Sequence, residues 1–95
     1  MKKLTEQEIE RGLADLQGWQ YTQGCLATSF EFIDFKAAFS IMTRIAFECE
    51  ALNHHPEWNN VYNTLNIFLR THDSDGVTTK DFELARAIEG IVYRQ

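Results

Sequence analysis

The sequence predicts an α+β domain: a four-stranded antiparallel sheet with helices packed on one face, in the order αββαββα. Three observations carry this. Three segments repeat apolar residues at helical spacing, and two pairs of segments alternate apolar and polar residues around short turns. The strand pairs also lie between the helices instead of alternating singly with them. With 95 residues the chain has room for one domain, residues 1–95, because domains run from about 50 to 250 residues. Hydrophobic residues make up 44% of it and charged residues 24%, the composition of a folded chain and not of a disordered one.

Thr5 is placed to cap the first helix, Glu8 completes a capping box, and Leu4 and Ile9 form a hydrophobic staple. Ile9, Leu13 and Leu16 then recur at helical spacing before Gly18. Two strands are expected next, Trp19 to Thr22 and Leu26 to Phe32, about a Gln23-Gly24 turn. In the second, Leu26, Thr28, Phe30 and Phe32 share one face, and Ala27, Ser29 and Glu31 the other. Asp34 caps a longer helix reaching about Asn53. Its expected buried stripe is Phe35, Ala38, Phe39, Met42, Ile45, Ala46, Cys49 and Leu52. Phe47 stands out on the polar side and marks a candidate association surface. Pro56 disfavours helical geometry at His55 and closes the segment.

A second strand pair is expected from Trp58 to Tyr62 and from Leu65 to His72, with Asn63-Thr64 as the turn. Leu65, Ile67 and Leu69 face one way; Asn66, Phe68, Arg70 and His72 face the other. After the loop Asp73-Ser74-Asp75-Gly76, Thr78 and Asp81 make a capping-box-like pair, and Val77 and Phe82 a second staple. Phe82, Ala85, Ile88 and Val92 supply the buried stripe of the last helix. The uncovered sheet face is left for solvent, a ligand or another subunit.

Composition excludes several roles. Nine Lys and Arg against fourteen Asp and Glu give a net charge of −5. No basic cluster exceeds Lys2-Lys3, so nucleic acid is disfavoured as a partner. No run of ~18 apolar residues could span a bilayer. The N-terminus has lysines but no apolar h-region, which argues against a signal peptide. Cys25 and Cys49 lack C-x-x-C spacing and read as reduced thiols, so a cytoplasmic location is expected. A core this small also gains by oligomerising.

Chemistry gathers at three histidines, His54, His55 and His72, placed at the end of the long helix and the end of a strand. Element termini project side chains past the packed scaffold. Glu50 lies four residues before His54, on the same helix face if the last turn holds. A carboxylate beside an imidazole orients it and favours its protonated form. Taken singly, these features read as a surface pair, a loop and an exposed strand end, and Trp58 and Tyr62 as sheet packing. A zinc site fits poorly, since adjacent histidines seldom ligate one ion and neither H-x-x-x-H nor H-E-x-x-H occurs. The acidic loop lacks the ligand pattern of an EF-hand. Neither cysteine has an evident activating neighbour.

The combination is specific where the parts are not. Glu50-Ala51-Leu52-Asn53-His54-His55-Pro56-Glu57-Trp58 is followed by Asn60-Val61-Tyr62-Asn63 and Leu69-x-Thr71-His72. Gly76-Val77-Thr78, Asp81 and Leu84-Ala85 then complete the pattern. This set resembles the pterin-4a-carbinolamine dehydratases, with Asn53 standing where some relatives carry Asp. The resemblance implies an enzyme that removes water from a 4a-hydroxytetrahydropterin to give quinonoid dihydropterin, recycling the pterin of aromatic amino-acid hydroxylases. It implies His54 and His72 as the proton-transfer pair, His55 as a group that binds and orients the pterin, and Glu50 as the holder of His54. It further implies Trp58 as an apolar wall of the pocket, Thr71 and Asp81 at its floor or entrance, and no metal or redox cofactor. A homodimer or homotetramer is expected, with a helix contact through Phe47, Ser40, Arg44 and Ala51. The alternative is a non-catalytic, protein-binding relative that acts as a dimerisation cofactor of a transcription factor.

Overall fold

The computed structural model describes residues 1–94. Its elements are α1 (Glu6–Leu13), β1 (Gln20–Thr22), β2 (Cys25–Glu31), α2 (Phe35–Leu52), β3 (Glu57–Val61), β4 (Thr64–Leu69) and α3 (Thr79–Tyr93), with a 3-10 turn at His72–Ser74. The expected order αββαββα is the one found. All strand pairings are antiparallel and the sheet order is β1-β2-β4-β3.

Local chemistry sets the element boundaries. Thr5 and Glu8 close a reciprocal capping box at α1, Asp34 accepts the Ala37 N–H at α2, and Thr78 with Asp81 closes a second box at α3. Gln23 and Gly24 both have positive φ, 50° and 77°, the pair of values a two-residue type I′ hairpin needs. The second hairpin turns one residue earlier than expected. Val61 pairs with Thr64, so Tyr62 and Asn63 make the turn, with Tyr62 at φ 51°. The cause lies in β2: Thr64 pairs with Glu31, while Asn63 exchanges hydrogen bonds with Phe32 through its carbonyl and its Nδ2. That anchoring draws Thr64 into the strand. At its other end β4 stops at Leu69, short of the expected His72. There Thr71 bridges to Gly76 and Asp75 is left-handed, so the chain closes a tight loop containing the 3-10 turn.

The core lies between the sheet and α2 and α3. Leu26, Phe30, Leu65, Ile67 and Leu69 from the sheet meet Ile41, Ile45 and Cys49 of α2 and Phe82, Leu84, Ala85, Ile88 and Val92 of α3. The alternation expected for β2 and β4 is the one observed. The α2 stripe is narrower than expected and partly displaced. Ala38, Ile41, Ile45 and Cys49 are buried, whereas Phe35, Phe39 and Ala46 are exposed. More than half of this helix's circumference is apolar, so spacing alone does not choose which line faces the sheet; packing against α3 does. Phe35, Phe39 and Phe47 are 45%, 55% and 72% exposed, leaving an apolar outer surface. α1 sits against α3 so closely that a Cβ at Gly12 would lie 2.5 Å from the Phe82 ring. Among the described residues, no helix is long and apolar enough to cross a membrane.

Candidate active site

The end of α2 decides where two of the histidines go. Asn53 adopts the left-handed conformation, φ 51° and ψ 46°. The His54 N–H bonds to the Cys49 carbonyl and the Asn53 N–H to that of Glu50, which is a Schellman ending with Asn in place of the usual Gly. Asn tolerates this region better than most residues. The turn breaks the helical register between Glu50 and His54, so the expected contact between them is not made. His54 instead runs inward beneath α3, and His55 swings back to Glu50, Nε2 to Oε2 at 2.5 Å. Both of those side chains are largely exposed.

His54 is buried, and its Nε2 lies 2.5 Å from Oδ1 of Asp81. Asp81 is 0% exposed. Its other oxygen accepts the Thr78 N–H at 2.8 Å and the Thr71 hydroxyl at 2.9 Å. Because the Thr71 proton is committed to the carboxylate, the 2.7 Å contact between Thr71 and Thr78 is donated by Thr78. A carboxylate is an acceptor only, so the hydrogen on the His54 ring belongs on Nε2. Among the described residues His54 Nδ1 has no partner, and it is not sealed from solvent. One buried carboxylate therefore caps α3, anchors Thr71 and fixes the ring orientation and tautomer of His54.

His72 lies in the 3-10 turn, with Nε2 3.4 Å from Oε1 of Glu57 at the start of β3; both are exposed. Each imidazole thus has its own carboxylate: Asp81 for His54, Glu50 for His55, Glu57 for His72. Only the first pair is buried, and exposed pairs of this kind hold geometry weakly. The three rings line one cleft of about 290 Å³, together with Asn53, Arg70, Thr71, Asp73 and Lys80. That is near the small end of ligand pockets, about 300–1,000 Å³.

The expected site residues divide accordingly. His54, His55, His72 and Thr71 line the cleft, Asp81 lies directly behind it, and Glu50 touches it through His55. Trp58 is half-buried opposite Ile67 and packs against the core, so it is not part of the cleft lining. Sequence reasoning missed Glu57 as the partner of His72, along with Arg70 and Lys80. The signal for Glu57 was its place between the paired histidines and Trp58. The thiols are unpromising nucleophiles: burial pushes Cys49 up to about 11, and burial, then the Glu57 carboxylate, raises Cys25. Among the described residues, no group of three or more His, Cys, Asp or Glu side chains is arranged to hold a metal ion.

Comparison with known proteins covers nearly the whole chain. The family described as "Pterin 4 alpha carbinolamine dehydratase" matches residues 2–91. A protein of Christiangramia forsetii, provisionally named a pterin-4-alpha-carbinolamine dehydratase, is 60% identical across 97% of this chain and 95% of its own. A relative from Opitutus terrae with the same provisional name is 49% identical across 95% and 94%. The crystal structure of a "transcriptional coactivator/pterin dehydratase" from Brucella melitensis superposes with a TM-score of 0.92 at 41% identity, covering 95% of this chain and 98% of that one.

Proposed function

Because the chain belongs to the pterin-4a-carbinolamine dehydratase family, we propose that it removes water from a 4a-hydroxytetrahydropterin by histidine acid–base catalysis. The product is the quinonoid dihydropterin, and the reaction returns a pterin spent by an aromatic amino-acid hydroxylase to a reducible form. The observation that carries this reading is the convergence of His54, His55 and His72 on one cleft from two distant parts of the chain.

The reaction needs two proton transfers and no change of metal or redox state. The N5 lone pair forms the N5=C4a bond as the C4a–O bond breaks, and the departing oxygen takes a proton to leave as water. The N5 proton is then lost, so protons balance overall. His54 suits the second task. With Nε2–H held by Asp81, its Nδ1 accepts a proton, and the buried carboxylate stabilises the positive ring that results, as in a hydrolase triad. His72, exposed at the cleft rim beside Glu57, delivers a proton to the leaving hydroxyl. His55, beside Glu50, binds and orients the pterin. Acid–base assistance of this kind contributes ~10²–10⁴-fold.

The test is the decay of freshly generated carbinolamine, followed with and without protein. The parent accelerates it, and His54→Ala and His72→Ala each lose most of the acceleration. Parent-like rates in both variants would remove the catalytic assignment. The exposed Phe35, Phe39 and Phe47 support a second element of the proposal, a homo-oligomer joined through α2. The name of the Brucella relative pairs catalysis with coactivation; a protein-binding role here would use that same surface and leave the cleft intact.

A further inference from the structure

The histidine cleft does not end at the histidines. Arg70, just beyond β4, lines it and also lines a second cleft of about 370 Å³, walled by Thr22, Gln23, Cys25, Glu57 and Phe68. Glu57 links the two from the other side, since its carboxylate faces His72. A bicyclic ring engaged by the three imidazoles would leave the adjoining space to whatever substituent the ring carries.

The charges there are unevenly committed. Arg70 is 30% exposed, and its Nη2 donates to Asp75 at 2.9 Å, but Asp75 is 86% exposed and held by little else. The Nε–H of Arg70 is buried and has no acceptor among the described residues. Lys80 lines the histidine cleft and makes no ion pair among the described residues. Of the carboxylates that line the two clefts, Glu57 already faces His72, which leaves Asp73. Arg70 and Lys80 are thus matched in number by Asp75 and Asp73, and of the two cations Arg70 is the one with a buried donor left over. A guanidinium whose acidic partner is almost wholly in water exchanges that partner readily for another anion, because exposed pairs are weak.

We propose that Arg70 recognises an anionic group, a carboxylate or a phosphate, on the substituent of the pterin substrate, with Lys80 as a second cation on the cleft wall. The substituent runs from the histidine cleft into the adjoining one, alongside Phe68. This rests on the dehydratase reading and adds to it the class of substrate.

The experiment compares three carbinolamines: one from neutral 6-methyltetrahydropterin, one from tetrahydrofolate, whose tail ends in carboxylates, and one from a tetrahydropterin with a phosphorylated side chain. The parent should favour at least one anionic substrate in kcat/KM by about tenfold, the worth of one charge-assisted hydrogen bond (about 1.4 kcal/mol). The larger of the two anionic preferences identifies the group. Arg70→Gln should bring that ratio towards one, and Arg70→Lys should restore part of it, keeping the charge without the planar fork. Asp75→Asn should raise it by removing the competing carboxylate. Arg86→Gln, the same charge change elsewhere on the surface, should leave it unaltered. A parent ratio near one, or equal losses on all substrates in Arg70→Gln, would overturn the inference while sparing the dehydratase reading. Acceleration of none of them would overturn both.

Discussion

Replacing Asp81 with Asn changes one buried atom and tests the centre of the proposed mechanism. The two Asp81 oxygens receive three donors: His54 Nε2 on one, the Thr78 N–H and the Thr71 hydroxyl on the other. An Asn side chain has one acceptor oxygen. Placed towards Thr71 and Thr78, that oxygen keeps two of the three bonds and turns its NH₂ towards His54. The ring can meet an NH₂ only by presenting a lone pair at Nε2, which moves its hydrogen to Nδ1. The nitrogen proposed to accept the pterin proton is then blocked. A hydrogen bond to a charged group is worth about 1.5–3 kcal/mol and a neutral one about 0.5–1.5 kcal/mol, so trading the carboxylate for an amide should lower stability by about 2 kcal/mol, within the 5–15 kcal/mol typical of a domain. The variant therefore folds, and kcat should drop at least ~10²-fold with KM little changed. Denaturant unfolding measures the first effect, carbinolamine decay the second, and nitrogen NMR of His54 the tautomer. A folded Asp81→Asn protein with parent kcat, or with the Nε2–H tautomer retained, would refute the reasoning.

Three other outcomes follow from the packing. Gly12→Ala places a methyl group against the nearly buried Phe82 ring. Overpacking costs about 1–3 kcal/mol and outweighs the gain in helix propensity, so the melting temperature should fall by about 5 °C; an unchanged or higher value would show that α1 yields freely. With its thiol near pKa 11, Cys49 is about one part in a thousand thiolate at pH 8. Its alkylation should be slow in the native protein and accelerate towards pH 11; labelling at pH 8 at the rate of free cysteine would contradict its burial. Sedimentation at micromolar concentration should give a multiple of 11.0 kDa, and Phe47→Glu should shift the protein to smaller species. A parent sedimenting at 11.0 kDa would count against the helix-mediated assembly.

Much of the fold was legible because the relevant signals are local. The capping residues Thr5, Asp34 and Thr78, the Gln23-Gly24 turn and the alternation in β2 and β4 each act over a few residues. The features that were misread depend on distant partners. The second hairpin shifted because Phe32 holds Asn63, and the α2 stripe narrowed because α3 covers one line of a helix apolar over most of its circumference. At the site, the chemically active residue types stand out in the sequence, but their pairing does not. Glu50 and His54 are matched by spacing on an unbroken helix, and a left-handed Asn53 breaks it. Asp81 is 27 residues from His54, and no periodicity relates them.

The left-handed residue at the end of α2 has a consequence for substrate tolerance. Two identical side chains, adjacent in sequence, receive opposite surroundings from a single pair of torsion angles: His54 is buried against Asp81, while His55 stands in water beside an exposed Glu50. A rigid ring can hold the reacting centre in register as a looser neighbour adjusts to rings that arrive bearing different appendages.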